Sequence, residues 1–372
     1  MRHARRGRLH IPLLAFAVFA AACGPGDAAG PGVFWPELIS TTAVPLSESE
    51  EVALLADERT ACVIDSYEVR VRCVDAEGSV VGIFGREGEG PGEFGEPTYL
   101  TRGEAGTVGV VDSDLGRFTV FEPSGAHVSE VMLPAVFQPF PAFGAAVSGV
   151  SLDYMVMLGQ MSGSLMTRYD VDLASGDVVG QEGSPPGPWD IECGQVIHGL
   201  PHPAGGWAFV ACEGHLIFVG GTGDTGDATV VRAPMYVPEL PDERDVARME
   251  EELLAFNRSR GLPRSPAIDE GLERYRATPK NYHLSTGQQL FDGSNRYWIA
   301  TQRDQHEWSW LDVYENAAYL GSVRVRDRLR AFDLLGSTLV VLVDRQAGPD
   351  DADGIPDRAL DWYDIADLPF RR

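Results

Sequence analysis

Three aspartates near the C-terminal end are the residues whose spacing best suits metal binding. Asp351, Asp353 and Asp357 lie in the segment GPDDADGIPD, and carboxylates at alternate positions are the pattern with which a loop wraps a calcium ion. Position 349 is a proline, so the first ligand of such a loop is missing. The segment therefore predicts either a calcium site or an exposed acidic hairpin loop.

Histidines are the second group that could hold a metal. His198, His202, His215 and His283 are candidates for a transition-metal site. His198 and His202 flank the sequence Gly-Leu-Pro and need not point the same way, and the sequence contains no HExxH motif. Histidines with ordinary structural partners are the competing interpretation.

Serine and tryptophan residues complete the set of chemically interesting side chains. The pair Asp-Ser recurs at 65–66 and 112–113, and a repeated pair suits a structural role better than a unique reaction. No Gly-x-Ser-x-Gly elbow is present to indicate a serine hydrolase. Trp308 and Trp310 would share one face of a strand and could line an exposed ligand surface. The sequence therefore assigns no catalytic residue.

Four of the five cysteines form two pairs that hairpins could bring together. Cys62 lies opposite Cys73 if the chain turns at residues 67–68, and a later turn would place Cys193 opposite Cys212. Both pairs predict cross-strand disulfides, which are typical of an oxidising compartment. A four-cysteine zinc site is the alternative, but the sequence has no CxxC motif.

The N-terminal segment has the features of an export signal. Arginines precede the apolar stretch from Ile11 to Ala22, which is too short for a bilayer core that needs about 20 apolar residues. Small residues end at Cys23, which resembles the lipobox of bacterial lipoproteins, although alanine replaces the usual leucine at position 20; ordinary signal cleavage is the alternative. We therefore expect a signal over 1–22, a tether over 23–35 that is lipid-attached at Cys23, and a folded domain over 36–372.

The composition excludes some partners. The chain has 55 acidic residues against 30 lysines and arginines, a net charge of −25, and Lys280 is its only lysine. Such a surface repels nucleic acid and anionic lipid headgroups. We therefore expect no nucleic-acid partner, and contact with a membrane only through the lipid anchor.

Short β-rich runs separated by turn signals recur along the chain. Residues 63–66 align with residues 110–113 at an offset of 47 positions, and four short strands per 40–50 residues are typical of a propeller blade. The period predicts an all-β fold, a six-bladed β-propeller of four-stranded blades. The expected blades span about 49–90, 95–133, 134–190, 191–232, 283–325 and 326–367.

Two departures from the period add detail to this prediction. Between about 233 and 282 apolar residues fall at helical spacing after Asp242, which suits a helix N-cap, so we expect a helical insertion there. The run at 37–46 has no blade of its own. We expect it to supply the missing outer strand of the last blade and so close the ring.

The segment GREGEGPGEFGEP (85–97) lies between two blades. Its glycines predict a tight corner around Phe94 rather than a phosphate loop, because no helix follows and its glutamates would repel an anion. With the following VVDSDLGRFTVFEPSG, this segment resembles NHL-type repeats, most closely those of six-bladed β-propeller lipoproteins of bacterial envelopes. The resemblance implies the fold more strongly than a function, because such propellers serve both as binding platforms and as enzymes.

Two hypotheses of function follow. The first is a monomeric, lipid-anchored platform of the bacterial cell envelope that binds a protein, a peptide or a glycan without catalysis. The second is a metal-dependent enzyme of the lactonase or lyase kind, whose site would lie in the central channel. Apart from the calcium considered above, no cofactor is expected for the platform.

Overall fold

Six mainly antiparallel sheets arranged as a β-propeller form the body of this computed structural model. The structure describes residues 32–44, 51–103, 106–133, 142–148, 151–156, 167–184, 196–220, 228–259, 261–284, 288–303, 307–345 and 357–371. Pro31–Arg372 forms one compact unit.

Four sheets of four strands each follow one another in the first part of the chain. The first contains Val52–Leu54 (β3), Thr60–Asp65 (β4), Arg70–Asp75 (β5) and Val80–Phe84 (β6). The second contains Pro97–Arg102 (β7), Val108–Asp112 (β8), Arg117–Phe121 (β9) and His127–Met132 (β10). The third contains Ala142–Ser148 (β11), Ser151–Val156 (β12), Thr167–Asp172 (β13) and Val178–Gly183 (β14). The fourth contains Val196–Pro201 (β15), Gly206–Ala211 (β16), His215–Gly220 (β17) and Ala228–Arg232 (β18).

The remaining two sheets each include a strand from the N-terminal part of the domain. One contains Gln289–Phe291 (β19), Tyr297–Thr301 (β20), Trp308–Glu315 (β21), Ala318–Arg326 (β22) and Gly32–Phe34 (β1). The other contains Arg328–Leu335 (β23), Thr338–Asp344 (β24), Arg358–Asp364 (β25) and Glu37–Ala43 (β2). Within each sheet the strands are antiparallel, except that β1 lies parallel to β22.

The prediction of six four-stranded blades was wrong. Five blades of four strands are present, and the sheet of β19–β22 has a fifth strand because β1 adds to its outer edge. Gly321 makes this addition possible: a Cβ there would lie 2.4 Å from Phe34 Cε2 and 2.6 Å from the carbonyl oxygen of Gly32. The sequence analysis had assigned the glycine-rich segment 23–35 to a tether, so residues 32–34 were not expected to pair.

The ring is closed by β2. It pairs antiparallel with β25, from Glu37 opposite Asp364 to Ala43 opposite Ala359, as the sequence analysis expected for this segment. The Thr41 hydroxyl also donates to the Asp361 carboxylate, at 2.8 Å. The last blade therefore combines strands from both ends of the domain, which hides two sheet edges at once.

A clamp of three residues joins the inner strands at the ring closure. The Leu54 amide donates to Asp333 Oδ2 at 2.8 Å, and Arg102 Nη1 donates to the Leu54 carbonyl oxygen at 2.6 Å. Arg102 also lies 3.4 Å from the Asp333 carboxylate. Burial raises the pKa of Asp333, and the positive charge of Arg102 opposes this rise. The clamp therefore satisfies the open edge of β3 and connects three consecutive blades through β23, β3 and β7.

The corner at 85–97 packs as the sequence predicted. Phe94 is fully buried and its ring centroid lies 5.7 Å from that of Phe121, in a cluster formed by the first two blades. Gly85 has a φ of 84°, and a Cβ there would lie 2.2 Å from the Phe94 ring. Only glycine lets the backbone pass this close to the ring.

The helical insertion consists of two α-helices in the described residues, Glu243–Ser259 (α1) and Pro266–Ala277 (α2). Asp242 caps α1 as predicted, because its Oδ1 accepts the amides of Arg244 and Asp245. Neither described helix has the length and apolarity that crossing a membrane requires.

Ion pairs of a buried lysine join the two ends of the insertion to each other. Lys280 Nζ lies 3.0 Å from the Asp245 carboxylate and 3.2 Å from that of Glu239. Burial lowers the pKa of Lys280, but its hydrogen bonds and ion pairs with these two acids outweigh burial and raise the pKa overall. The insertion is thus held at its first helix and at its last residues together.

One of the two predicted disulfides is confirmed. Cys62 and Cys73 are bonded and lie directly opposite each other in β4 and β5. Cys212 is also in a disulfide, but its predicted partner, Cys193, lies outside the described residues, so that pairing stays a prediction. The signal segment and Cys23 lie outside them as well.

The clamp at the ring closure makes a testable prediction. We expect Arg102→Met to lower the free energy of unfolding by about 1–3 kcal/mol, because it leaves a partly buried carboxylate and a strand-edge carbonyl group without their donor. Chemical denaturation measures the change. The matched control is Arg59→Met, which breaks the ion pair with Glu77 between side chains that are 65% and 57% exposed, and should cost no more than about 0.5 kcal/mol. Equal effects would contradict the assigned role of the clamp.

Candidate functional site

The residues predicted as metal ligands are not brought together by the described part of the structure. Asp351 and Asp353 lie outside the described residues, and Asp357 is exposed beside β25. His198 lies in β15 opposite Val210, whereas His202 follows that strand in a turn. Among the described residues, no group of three or more histidine, cysteine, aspartate or glutamate side chains is arranged to hold a metal.

A cavity of about 350 Å³ lies between the fourth blade and the sheet of β19–β22. The strands of each blade are antiparallel. The ends of its first and third strands therefore lie at the same face of the propeller as the starts of its second and fourth strands. All lining residues come from this face: His202, Ala204, Gly205, Trp207, Phe218, Val219, Gly220, Thr229, Phe291, Asn295, Tyr297, Tyr314, Asn316 and Ala317. We call this cavity the aromatic pocket.

Aromatic contacts across the seam between the two sheets form the walls of the aromatic pocket. The Phe218 ring of β17 lies 5.7 Å from that of Tyr297 and 6.0 Å from that of Tyr314. His202 meets Phe291 edge-on with ring centroids 4.6 Å apart. Edge-to-face pairs of this kind hold ring orientations more firmly than area burial alone. The walls of the pocket are therefore packed strand residues of the two sheets, and residues of the connecting turns lie around them.

Polar groups of the aromatic pocket lie at two depths. Thr229, Asn295 and Asn316 are exposed at its mouth. Tyr314 is 1% exposed, and its hydroxyl has no hydrogen-bond partner among the described residues. The neighbouring Tyr297 hydroxyl, in contrast, donates to Gln289 Oε1. The oxygen of this hydroxyl has less than 1 Å² of accessible surface, so it carries a desolvation cost and is not open to a ligand in the pocket.

Every ionisable group that lines the aromatic pocket is neutral near pH 7. Burial raises the pKa of Tyr297 and of Tyr314, and the negative charge of Asp312 raises that of Tyr314 further. Burial lowers the pKa of His202. The Ala204 amide donates to His202 Nδ1 at 3.0 Å, so the proton of the neutral imidazole is on Nε2. His202 is therefore set to donate a hydrogen bond rather than to accept a proton.

A second polar cluster lies beneath the helical insertion. Asp312 is fully buried and accepts hydrogen bonds from the Tyr282 hydroxyl at 2.8 Å and the Ser322 hydroxyl at 2.5 Å. Arg303 Nη2 donates to the Ser322 hydroxyl at 3.0 Å. Burial raises the pKa of Asp312, against the opposing effects of Ser322, Arg303 and Tyr282. This cluster joins the end of the insertion to β21 and β22 and has a structural role.

The predicted ligand-face tryptophans lie on β21 and point to the same side of the sheet. Trp308 and Trp310 are half-buried. The Arg324 guanidinium lies 3.5 Å from the centroid of Trp308, and the Arg303 guanidinium lies 4.1 Å from that of Trp310. Both indole rings are therefore stacked against cations of their own chain, and their role in ligand binding stays a prediction.

The recurring aspartates have the structural role that the sequence favoured. Asp112 accepts the amides of Gly95, Glu96, Asp114 and Leu115, so it joins the corner between blades to the next turn. An aspartate that caps this many amides is committed to the fold.

The sequence indicated His202 as a candidate site residue but did not indicate the other residues of the aromatic pocket. Trp207, Phe218, Tyr297 and Tyr314 occur in strands in which aromatic residues are expected to pack between blades. The available signal was their position, because each lies within two residues of a turn on the same face of its sheet. This signal requires the strand order to be known first.

The fold and the pocket define a β-propeller with a small-molecule-sized cavity between two blades. No family model and no curated protein matches the sequence. A DUF4221-family protein from Bacteroides vulgatus has a similar structure, with a TM-score of 0.50 and 9% identity over 88% of this chain and 97% of that one.

Two further solved structures match with lower scores. Regucalcin from Agrobacterium tumefaciens, a calcium-binding protein, matches with a TM-score of 0.43 and 13% identity over 90% of this chain and 97% of that one. Virginiamycin B lyase from Staphylococcus aureus matches with a TM-score of 0.42 and 10% identity over 86% and 87%. At these identities the comparisons concern the fold alone.

Removal of the unpartnered hydroxyl should stabilise the protein without ligand. We expect Tyr314→Phe to leave the free energy of unfolding unchanged or to raise it by up to about 2 kcal/mol, because a buried hydroxyl without a partner carries a desolvation cost. Chemical denaturation measures the change. The control is Tyr282→Phe, which removes a hydrogen bond to buried Asp312 and should lower stability. A clear loss of stability in Tyr314→Phe would contradict the absence of a partner.

His202 should make stability depend on pH. Its pKa in the folded protein lies below the ordinary value of 6.5, so the folded state favours neutral imidazole. This contribution is fully present above pH 6.5 and is lost as the pH falls through the lowered pKa. We expect the stability difference between wild type and His202→Asn to shift against wild type between pH 7.5 and pH 5. A difference that stays constant over this range would contradict the prediction.

Proposed function

We propose that this protein is a monomeric binding propeller of the bacterial envelope, held by a lipid on Cys23, which binds its ligand in the aromatic pocket without changing it chemically. The observation that carries the proposal is the aromatic pocket itself. Its volume of about 350 Å³ falls within the range of about 300–1,000 Å³ that small-molecule sites occupy.

The lining of the aromatic pocket favours binding over catalysis. Among the described residues, no aspartate, glutamate, lysine, arginine or cysteine lines it, and its histidine and two tyrosines are neutral near pH 7. A general base needs an acceptor atom, but His202 Nδ1 already accepts the Ala204 amide. The lining can therefore pack against a ligand and exchange hydrogen bonds with it.

Two sequence features support the envelope location. The chain begins with a basic and then apolar segment that ends at Cys23, and the Cys62–Cys73 disulfide is typical of proteins that fold in an oxidising compartment. The net charge of −25 disfavours direct contact with anionic lipid headgroups, which suits attachment through a lipid.

Gly220 provides a way to block the aromatic pocket. It lines the pocket, and a Cβ placed on it would meet no atom within 4 Å, so a phenylalanine there would enter the cavity without a backbone clash. Gly271 in α2 is an equally open position outside the pocket. Gly220→Phe and Gly271→Phe are therefore a matched pair of variants.

The test uses mature protein and a small-molecule fraction of envelope extract. We expect the extract to raise the melting temperature of wild type and of Gly271→Phe but not of Gly220→Phe, because only a ligand that binds the folded state stabilises it. Mass spectrometry should recover the ligand with unchanged mass after prolonged incubation. A ligand that is converted, or one that stabilises Gly220→Phe equally, would contradict the proposal.

Elemental mass spectrometry distinguishes the alternative, a metal-dependent enzyme of the lactonase or lyase kind. Protein purified without chelator should contain well under one equivalent of any transition metal or calcium if the proposal is correct. About one equivalent of tightly held metal would instead favour the enzyme, since such a metal could activate water or polarise a substrate.

A further inference from the structure

We infer that the aromatic pocket takes a neutral sugar ring at the end, or within a short stretch, of a glycan. This inference rests on the proposed function and names its ligand class. It is carried by three properties of the pocket: its aromatic walls, its uncharged hydrogen-bonding groups and the acidic surface of the protein around it.

The aromatic walls suit the ring of a sugar. One face of a pyranose presents mainly C–H groups, and these pack against the electron-rich faces of aromatic rings. Phe218 and Phe291 supply such rings, one from each sheet, with part of their surface exposed. The buried rings of Trp207, Tyr297 and Tyr314 support them from behind. The pocket can therefore bury the apolar face of a sugar while its hydroxyl groups point elsewhere.

The polar groups suit the hydroxyls of a sugar better than an apolar side chain of a peptide. His202 offers an Nε2 proton, and the hydroxyl of Thr229 and the amides of Asn295 and Asn316 lie at the mouth. A purely apolar ligand would cover these polar groups without replacing their hydrogen bonds to water, which costs free energy. A polyhydroxylated ring can donate to them and accept from them.

The charges of the pocket and of the whole protein narrow the expected class of ligand to neutral glycans. No cationic side chain lines the aromatic pocket to pair with a uronate, sulfate or phosphate group, and the net charge of −25 repels anions. Acidic glycans therefore bear an electrostatic cost that nothing in the pocket offsets. Neutral hexose and N-acetylhexosamine units avoid this cost.

The experiment is calorimetric titration of mature protein with defined trisaccharides. The probes are maltotriose, cellotriose and triacetylchitotriose, with trigalacturonic acid as the anionic comparison. We expect at least one neutral probe to bind wild type and Gly271→Phe equally, Gly220→Phe to lose binding, and trigalacturonic acid not to bind.

The possible failures separate this inference from the proposed function. Suppose that no neutral trisaccharide binds at millimolar concentration while Gly220→Phe still abolishes stabilisation by extract. The assignment of a sugar as the ligand is then wrong, and the proposed binding function stands. If trisaccharides bind Gly220→Phe as well as wild type, the pocket is not their site. Equal binding of trigalacturonic acid would also overturn the inference.

Discussion

Closure of the ring is the constraint on which the rest of this structure depends. Neighbouring blades of a propeller share no backbone hydrogen-bond ladder, so packing and a few side-chain hydrogen bonds must hold the first blade against the last. Here β2 lends the last blade its outer strand, and a buried cluster that includes Leu54, Leu342 and Trp362 fills the seam. Arg102 and Asp333 add polar connections at the inner edge. Together these interactions fix the angle between neighbouring sheets around the whole ring.

The aromatic pocket is a consequence of the same architecture. Each seam between sheets must be filled by side chains from both, and most seams are filled by aliphatic residues. At the seam of the fourth blade the side chains are large rings near the turns, where the sheets diverge, and rings cannot fill this widening space completely. The positive φ values of Asn316 and Ala317, 48° and 66°, give the two-residue hairpin at the mouth the twist that such short turns need. Rigid elements thus surround the cavity.

The sequence predicted the repeated strands well because their signals are local. The alternation of apolar residues and turns placed β3–β6 and β7–β10 within the expected ranges, and Asp242 and the apolar spacing after it predicted α1. The fifth strand of one sheet was not predicted, because the glycine-rich sequence around Gly32 is typical of a tether. The pairing of this strand depends on Gly321, which is distant in sequence. The pocket was missed for the same physical reason. Trp207 and Tyr314 line the same cavity only because their two sheets are neighbours in the ring. No local sequence pattern reveals which sheets are neighbours.

Lys280 gives the molecule an unusual chemical property. It is the only lysine of the chain, its side chain is 7% exposed, and two carboxylates hold its ammonium group. Amine-directed reagents therefore meet a single side-chain target, and they can acylate it only when the ion pairs open and the amine loses a proton. The rate of modification at this one residue reports how often the two ends of the helical insertion separate from each other.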